Sequence, residues 1–380
     1  MNVSLDEHRF GGLRWIVVGG QDREAFLALG EHMRQEIAAL TETWPLLPRL
    51  RAHVSRSPGS DRLNAVRQVS ALRFPEVWAE LAALARGAAV PFDDLALLNF
   101  RGDLGEVVGG IGCSDLAWRR DRSIIGHNED GAPENVGQCT MLTLALDDLP
   151  TVTAFWYPGF VPSNAFAVTG DGLVWTIDHL PIASPGPGAG RQVVGRGLQR
   201  SARTIDEAID YLRAHPSAGG FAYTIGDRTG RIVSMEAMAG RHAVVEVGPG
   251  SGPLQWHTNH GRYLTGSEPS PSGTSGARGE LLSNLAIPVS DPDVAWFLHI
   301  LADAPLPDGV RADPTPRCNA TTLCTFIADL TAGQAVLVAR DDQQVTIPLG
   351  DLAEGHPHHR LADVTDASGS ARDLDAMERT

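Results

Sequence analysis

The sequence changes character at Cys113. Before this residue, apolar side chains recur mainly at the spacing of amphipathic helices, and after it they alternate or form short runs typical of β-strands. Helices followed by strands, then helices and strands again, predict an α+β fold with its sheets in the middle. No internal repeat or hinge interrupts this order. We therefore expect one layered domain, with the important division of the chain at Cys113.

Local patterns place the individual elements. A short strand at 13–18 precedes an amphipathic helix that carries Phe26 to Leu40, and further helices begin at Pro75 and near Phe92. A capping box at Thr204 opens a later helix, and Asp291-Pro292 opens another. The strands expected after Cys113 lie at 114–118, 123–127, 138–146, 151–157, 165–169, 173–177, 221–226, 232–238, 243–247, 325–329 and 334–339.

Gly112-Cys113 has the residue types that a chain needs to cut itself. The thiol can attack the Gly112 carbonyl and move the acyl group from nitrogen to sulfur, after which water releases a chain that begins with Cys113. The new α-amine has a reference pKa of about 7.7–8.0 and lies within reach of its own thiol. One residue would then supply both the nucleophile and the base.

Composition narrows the class of protein. The net charge of −15 argues against a nucleic-acid partner, and all 31 basic residues are arginine, which removes lysine-based chemistry. The start lacks a secretory signal, and no apolar run is long enough for a membrane helix, so we expect a cytoplasmic protein. The four cysteines form no CxxC pair, and most are expected to be buried without disulfides.

Four motifs, in this order, resemble the acyltransferase-type N-terminal-nucleophile hydrolases, relatives of isopenicillin N acyltransferase, bile-salt hydrolase, penicillin V acylase and β-alanyl-amine hydrolases. They are Gly112-Cys113, Gly126-His127-Asn128-Glu129-Asp130, Tyr157-Pro158-Gly159 with Asn164-Ala165-Phe166, and His257-Thr258-Asn259-His260. The resemblance runs from the first helix to the hairpin near Ala339. It implies a four-layer αββα sandwich, catalysis without cofactor or metal, and a thioester acyl-enzyme.

The same resemblance implies site residues. Cys113 looks like the nucleophile and Gly112 like the residue before the cut. Asp130, 17 positions after Cys113, looks like the acidic residue that orients the nucleophile, and Asn259 like the oxyanion donor. The remaining candidates orient the substrate or support the site: His127, Asn128, Glu129, His260 and the late arginine Arg317. Bile-salt hydrolases have arginine at the position of His127, which departs from their pattern.

The implied processing divides the chain into three parts. Residues 1–112 form a mainly helical N-terminal chain, residues 113–350 form the catalytic chain that completes the same domain, and residues 351–380 form a mobile tail. The two cut chains are expected to stay associated, while a homo-oligomer remains open. The expected substrate is a small N-acyl amine, including aminoacyl amines, whose amine Glu129 and Glu134 would pair with. Hydrolysis is favoured over acyl transfer.

Two other interpretations remain open. Cys113 followed by His260 and a later asparagine gives the order of papain-like proteases, although the strand pattern around Cys113 does not permit their long nucleophile helix. Alternatively, the chain is an uncut, non-catalytic member that binds a small acylated metabolite. A metal held by His257 and His260 is disfavoured, because no carboxylate or cysteine pair accompanies them in the sequence.

Overall fold

The computed structural model describes residues 3–105, 112–163, 165–264, 274–315, 319–340 and 343–357. In these residues two β-sheets lie face to face, and helices cover the outer side of each sheet. No helix in the described residues is both long and apolar enough to span a bilayer.

The larger sheet has nine strands in the described part of the chain, in the spatial order β1-β2-β5-β6-β7-β8-β9-β10-β11. Their bounds are β1 Ser4–Phe10, β2 Leu13–Gly20, β5 Thr140–Leu146, β6 Val152–Trp156, β7 Ala167–Thr169, β8 Val174–Leu180, β9 Gly220–Gly226, β10 Ile232–Met238 and β11 Arg241–Glu246. Strands β2 and β5 pair in parallel, and the other neighbours are antiparallel. Because β2 precedes Cys113 and β5 follows it, both parts of the chain build this sheet.

The smaller sheet is antiparallel throughout, in the order β12-β3-β4-β13-β14-β15. Its strands are β3 Ser114–Arg119, β4 Ser123–Gly131, β12 Leu254–His257, β13 Thr321–Asp329, β14 Gln334–Ala339 and β15 Gln344–Pro348. The register pairs Asp115 on β3 with His127 on β4. A bulge in β13 between Thr322 and Cys324 faces the end of β4. Strand β3 begins directly after Cys113, which places the nucleophile candidate at one end of this sheet.

Helices form the two outer layers. Those before Cys113 are α1 Asp22–His32, α2 Arg34–Thr43, α3 Leu46–Val54, α4 Gly59–Arg73, α5 Pro75–Ala88 and α6 Phe92–Asn99. Those after it are α7 Arg191–Ser201, α8 Ile205–Ala214, α9 Ser275–Ser283, α10 Val294–Leu298 and α11 Leu349–Glu354. Helix α10 continues into a π-helical segment, His299–Asp303.

Three of the apolar cores in the described residues hold the layers together. One lies between the large sheet and helices α1, α2, α4, α5, α6, α7 and α8. The second fills the space between the sheets, where the rings of Phe166 and Phe326 stack 4.3 Å apart. The third packs Phe297 and Leu301 against Leu116 and Ile124 of the small sheet. This order of layers is the four-layer αββα sandwich that the sequence predicted.

The N-terminal part differs from the sequence prediction in two ways. It begins with a hairpin, because β1 pairs along its whole length with β2, whereas only the strand at 13–18 was expected. The single helix expected from Phe26 to Leu40 is broken at Met33 into α1 and α2. Met33 and Ile37 are both fully buried, so the apolar stripe continues across the break.

The C-terminal boundary also differs. The mobile tail was expected to begin at 351, but this position lies inside α11. Leu352 and Ala353 are buried in the core between the sheets, and that burial explains why the helix is ordered. Residues 358–380, Cys318 and Asn164 lie outside the described residues, while Cys139 and Cys324 are buried free thiols as expected.

Candidate active site

Gly112 and Cys113 are buried where the chain enters β3. A Cβ atom added to Gly112 would overlap the side-chain amide of Asn259. Close approach, and not only flexibility, therefore requires glycine at this position. The same approach places Asn259 against Gly112, the residue before the predicted cleavage site.

The thiol of Cys113 faces a carboxylate. Its Sγ donates to Oε2 of Glu129 over 3.4 Å, and the hydroxyl of Tyr157 donates to Oε1 of the same carboxylate over 2.6 Å. Burial and, after it, the negative charge of Glu129 raise the pKa of the Cys113 thiol well above its usual range. In this arrangement the nucleophile candidate is held as a neutral thiol.

A histidine connects this carboxylate to a second one. His127 contacts Oε2 of Glu129 through Nε2 at 3.2 Å and Oδ1 of Asp115 through Nδ1 at 2.6 Å. Burial alone would lower the pKa of His127, but hydrogen bonds to Asp115, Cys113 and Glu129 raise it well above its usual value. The ring is therefore an imidazolium that donates to both carboxylates.

Asp115 is held in turn by two hydroxyl groups. Thr176 on β8 and Thr224 on β9 each donate to its Oδ2 atom over 2.6 Å. These bonds run from the large sheet to the small sheet and fix the position of Asp115. Sequence analysis did not select Asp115, although two signals were available: it lies two residues after Cys113 on a strand, and it faces His127 across the hairpin.

Asp130 lies on the other face of β4 from Glu129, as the alternation of side chains along a strand requires. Its Oδ1 atom accepts a hydrogen bond of 2.6 Å from Thr322, and among the described residues Asp130 has no hydrogen bond to Cys113. Burial raises the pKa of Asp130 to about 7, against the opposing effects of Arg278 and Thr322. Asn128 shares this face, where it bonds the Leu301 carbonyl and the Thr325 hydroxyl.

Arg278 on α9 is a buried arginine at the site that sequence analysis missed. Its guanidinium donates to the carbonyl oxygen of Cys113, to Oγ of Ser114 at 2.7 Å and to Oδ1 of Asn259 at 2.8 Å. The Asn259 amide donates onward to the carbonyl oxygen of His179 over 3.1 Å. Arg278 thus fixes the orientation of the Asn259 amide, with the oxygen toward the guanidinium and the nitrogen away from it. The expected late arginine, Arg317, lies outside the described residues.

The two histidines of the His257-Thr258-Asn259-His260 motif have partners away from Cys113. His260 contacts the hydroxyls of Ser275 and Thr258 at 2.8 and 3.0 Å. His257 contacts the carboxylate of Glu236 at 2.8 Å and the Thr258 carbonyl at 2.6 Å. The papain-like arrangement of Cys113 with His260 is therefore not assembled, because each imidazole is held by its own local bonds.

Asp178 is a fully buried carboxylate beside this network, and neither of its oxygens has a hydrogen-bond partner. Burial, followed by the charge of Asp115, raises the pKa of Asp178 well above its usual range. One donor atom each from Asp115, His127 and Asp178 lies within 4.8 Å of the others, and the same holds for Cys113, His127 and Glu129. Mutual hydrogen bonds account for the second group, so we assign neither as a metal site.

A cavity of about 200 Å³ lies beside Phe155. Leu13, Cys139, Phe155 and Leu323 form apolar parts of its wall, and the Phe155 ring is 6.1 Å from that of Tyr157. Arg9, Arg14 and Arg340 also line it. Carboxylates already pair with two of these arginines: Glu7 and Glu36 with Arg14, and Asp313 with Arg340.

Comparison with known proteins adds a family match. Residues 118–344 match the family model described as acyl-coenzyme A:6-aminopenicillanic acid acyl-transferase. No curated protein sequence matches the chain significantly.

The chain is also similar to solved structures. A conjugated bile acid hydrolase from Clostridium perfringens shares 11% identity over 63% of this chain and 94% of its own, with a TM-score of 0.40. An N-acylethanolamine-hydrolyzing acid amidase ortholog from Caenorhabditis elegans shares 10% sequence identity over 62% of this chain and 99% of its own, with a TM-score of 0.41. A penicillin V acylase from Agrobacterium tumefaciens shares 11% sequence identity over 64% of this chain and 88% of its own, with a TM-score of 0.35.

Proposed function

The chain belongs to the acyl-coenzyme A:6-aminopenicillanic acid acyl-transferase family, and we propose that it is a self-processing cysteine amidohydrolase. Membership makes it an N-terminal-nucleophile type amidohydrolase or acyltransferase. The observation that carries the finer proposal is the contact between Gly112 and Asn259 directly before the buried thiol of Cys113. The Asn259 amide therefore lies against Gly112 and next to the nucleophile candidate before any cut.

The proposed reaction after processing uses Cys113 as nucleophile and its α-amine as base. The α-amine takes the thiol proton, Sγ attacks the substrate carbonyl, and the proton passes to the leaving amine as a thioester forms. Water then adds to the thioester and regenerates the thiol. An amine in place of water would give acyl transfer instead.

Asn259 is proposed to stabilise the oxyanion. One of its two N–H bonds is directed to the His179 carbonyl, and Arg278 holds the amide oxygen. The second N–H is then available for the oxygen of a tetrahedral intermediate. Loss of such a donor typically costs about 3–4 kcal/mol of transition-state stabilisation.

The proposed substrate is a small neutral or cationic N-acyl amine, because the net charge of −15 repels anions. Glu129 does not support the amine recognition expected from the sequence, since its carboxylate is buried and already accepts three hydrogen bonds. We propose instead that the amine binds Asp178, whose carboxyl oxygens make no hydrogen bond among the described residues and whose Oδ2 lies 3.7 Å from Nδ1 of His257, and that the acyl group occupies the cavity beside Phe155. A cytoplasmic location stays a prediction.

Acid-quenched mass spectrometry with a panel of aminoacyl, fatty-acyl, phenylacetyl and bile-acid amides tests the mechanism and the substrate class together. We expect an acyl adduct on the fragment that begins with Cys113, favoured by aminoacyl amines. The adduct should vanish in Cys113→Ala and persist in Cys139→Ala. Turnover by Cys113→Ala would contradict the mechanism, and a preference for bile-acid conjugates would contradict the substrate class alone.

One observation favours a second candidate, an uncut thiol hydrolase. In the whole chain the His127 imidazolium is held by Asp115 and lies beside the Cys113 thiol, where it would stabilise a Cys113 thiolate without any cut. A chain that stays whole and still turns over amides would support this candidate over the proposed one.

A further inference from the structure

The uncut chain poses a chemical problem that the mature enzyme does not have. The nitrogen of Cys113 is part of the peptide bond to Gly112, so the α-amine that serves as base after processing does not yet exist. The thiol is buried and must still lose its proton before it can attack. This inference rests on the proposed self-processing and concerns the group that supports the first cut.

We propose that Glu129 accepts the thiol proton of Cys113 in the uncut chain and delivers it to the Cys113 nitrogen, while His127 and Asp115 hold Glu129 in place. Glu129 Oε2 lies 3.4 Å from Sγ and is the acceptor in that contact. Glu129 is thus the catalytic residue of the processing step, and His127 and Asp115 are positioning residues.

The charges around Glu129 suit this role. The His127 imidazolium lies between the carboxylates of Asp115 and Glu129, so one positive charge is shared by two negative ones. When the thiol proton moves to Glu129, the negative charge moves to sulfur, which also lies beside His127. The imidazolium therefore faces the negative charge both before and after the transfer, which keeps the energetic cost of moving it inside a buried site low.

The proton balance of the first cut closes within these groups. The Sγ–H proton passes to Glu129, the thiolate forms a bond to the Gly112 carbonyl carbon, and the carbonyl electron pair moves to oxygen. As the C–N bond breaks, the Cys113 nitrogen takes the proton from Glu129 and becomes the α-amine. Water then cleaves the thioester, leaving a Gly112 carboxyl group and a free thiol.

The two threonines explain how the chain of groups stays aligned. Thr176 and Thr224 belong to the large sheet, and their bonds to Asp115 tie the small sheet to it at this point. Tyr157 fixes the second oxygen of Glu129 from β6 and its following turn. Each carboxylate oxygen in the network therefore has a described partner, so only the proton between sulfur and Glu129 needs to move.

The test follows the rate of cutting separately from turnover. Newly synthesised Glu129→Gln should be cut at least about 100-fold more slowly than wild type, as expected for loss of a general base. Its turnover per cut chain should fall far less, because the α-amine is then the base. Glu134→Gln, at an exposed glutamate in the turn that follows strand β4, is the matched control and should be cut at the wild-type rate.

The outcomes separate this inference from the proposed function. A wild-type chain that is never cut would overturn self-processing itself. A wild-type chain that is cut, with Glu129→Gln cut equally fast, would overturn only the role of Glu129. If Glu129→Gln does not fold, Glu129→Ala with added formate decides the point: faster cutting than in chloride of equal ionic strength supports the role, and equal cutting overturns it.

The positioning residues have a distinct signature. Asp115→Asn should slow cutting while formate fails to rescue it, because the Glu129 carboxylate is still present and only its alignment is lost. Its turnover per cut chain should stay closer to wild type than its cutting rate does. Rescue of Asp115→Asn by formate would overturn the division of roles between Asp115 and Glu129.

Discussion

Glu129 and Asp130 are adjacent carboxylates with opposite surroundings. Glu129 faces the space between the sheets and contacts the nucleophile, whereas Asp130 faces the outer helical layer and bonds Thr322. The sequence motif predicted that Asp130 orients the nucleophile. Because side chains alternate along strand β4, Glu129 contacts Cys113 instead. His127 and Glu129 are two residues apart, so the strand pattern alone could have predicted that they share a face.

The buried Asp130 makes stability depend on pH. Its pKa is about 7 in the folded protein and near 3.8 in a model peptide, so between these values the folded state binds the proton more strongly than the unfolded state. Its contribution to stability is therefore lost as pH rises from about 4 to about 7. In an uncut Cys113→Ala background, Asp130→Asn should flatten the fall in unfolding free energy between about pH 5 and pH 8. The free energy of unfolding is measured by chemical denaturation at each pH. If it falls with pH equally steeply with and without Asp130→Asn, the burial of this carboxyl is contradicted.

Gly112 gives a second prediction at the scale of one residue. The methyl group of Gly112→Ala would displace the Asn259 amide, so cutting should slow by about 100-fold or more, the effect of losing an oxyanion donor. Gly350→Ala is the control, because a Cβ there meets open space. The cut fraction is measured by denaturing mass spectrometry over time. A Gly112→Ala chain that is cut like Gly350→Ala would show that Asn259 does not act on this bond.

At the scale of elements, the sequence predicted strands better than helices. The strands expected after Cys113 alternate or form apolar runs, and each of them is present within a few residues, whereas β12 and β15 were not expected. Strand β1 was missed because its sequence, Ser-Leu-Asp-Glu-His-Arg-Phe, is mostly polar and lies at the exposed edge of the large sheet. Helix α9 was missed because its apolar residues have weak periodicity, and Arg278 was missed with it.

Arg278 gives the prediction for this element. It is the link from α9 to the Cys113 carbonyl and to Asn259, and lysine cannot reproduce its forked geometry. Arg278→Lys should lower both the cutting rate and the turnover, and lower the free energy of unfolding by about 3 kcal/mol, the scale of a lost charge-assisted bond. Arg51→Lys, at an exposed ion pair with Asp94, serves as control and should change little. If Arg278→Lys is cut at the wild-type rate, the hydrogen bonds of the guanidinium to Cys113 and Asn259 do not support the cut.

At the scale of the whole molecule, the position of Cys113 makes the two halves interdependent. Strand β2 from the first part pairs with β5 from the second, and helices α1, α2, α4, α5 and α6 cover a sheet built largely from the second part. The order of the elements predicted a layered α+β domain, and the resemblance to the N-terminal-nucleophile hydrolases implied the four-layer sandwich. The sequence could not predict how the two sheets are tied together, because the bonds from Thr176 and Thr224 to Asp115 join residues far apart in the chain.

This shared sheet predicts the behaviour of the cut protein. Residues 1–112 and 113–380 should elute as one particle in size-exclusion chromatography without denaturant and separate only when unfolded, because each part would expose a large apolar face alone. Dissociation of the fragments under native conditions would contradict the role of β2 and the N-terminal helices in the common core.

The most direct test of the account is the mass of the purified protein under denaturing conditions, beside a Cys113→Ala variant. We expect two masses for the wild type, those of residues 1–112 and 113–380, and a single uncut mass for Cys113→Ala. A wild-type protein that remains one chain, or a Cys113→Ala variant that is cut at the same bond, would contradict it.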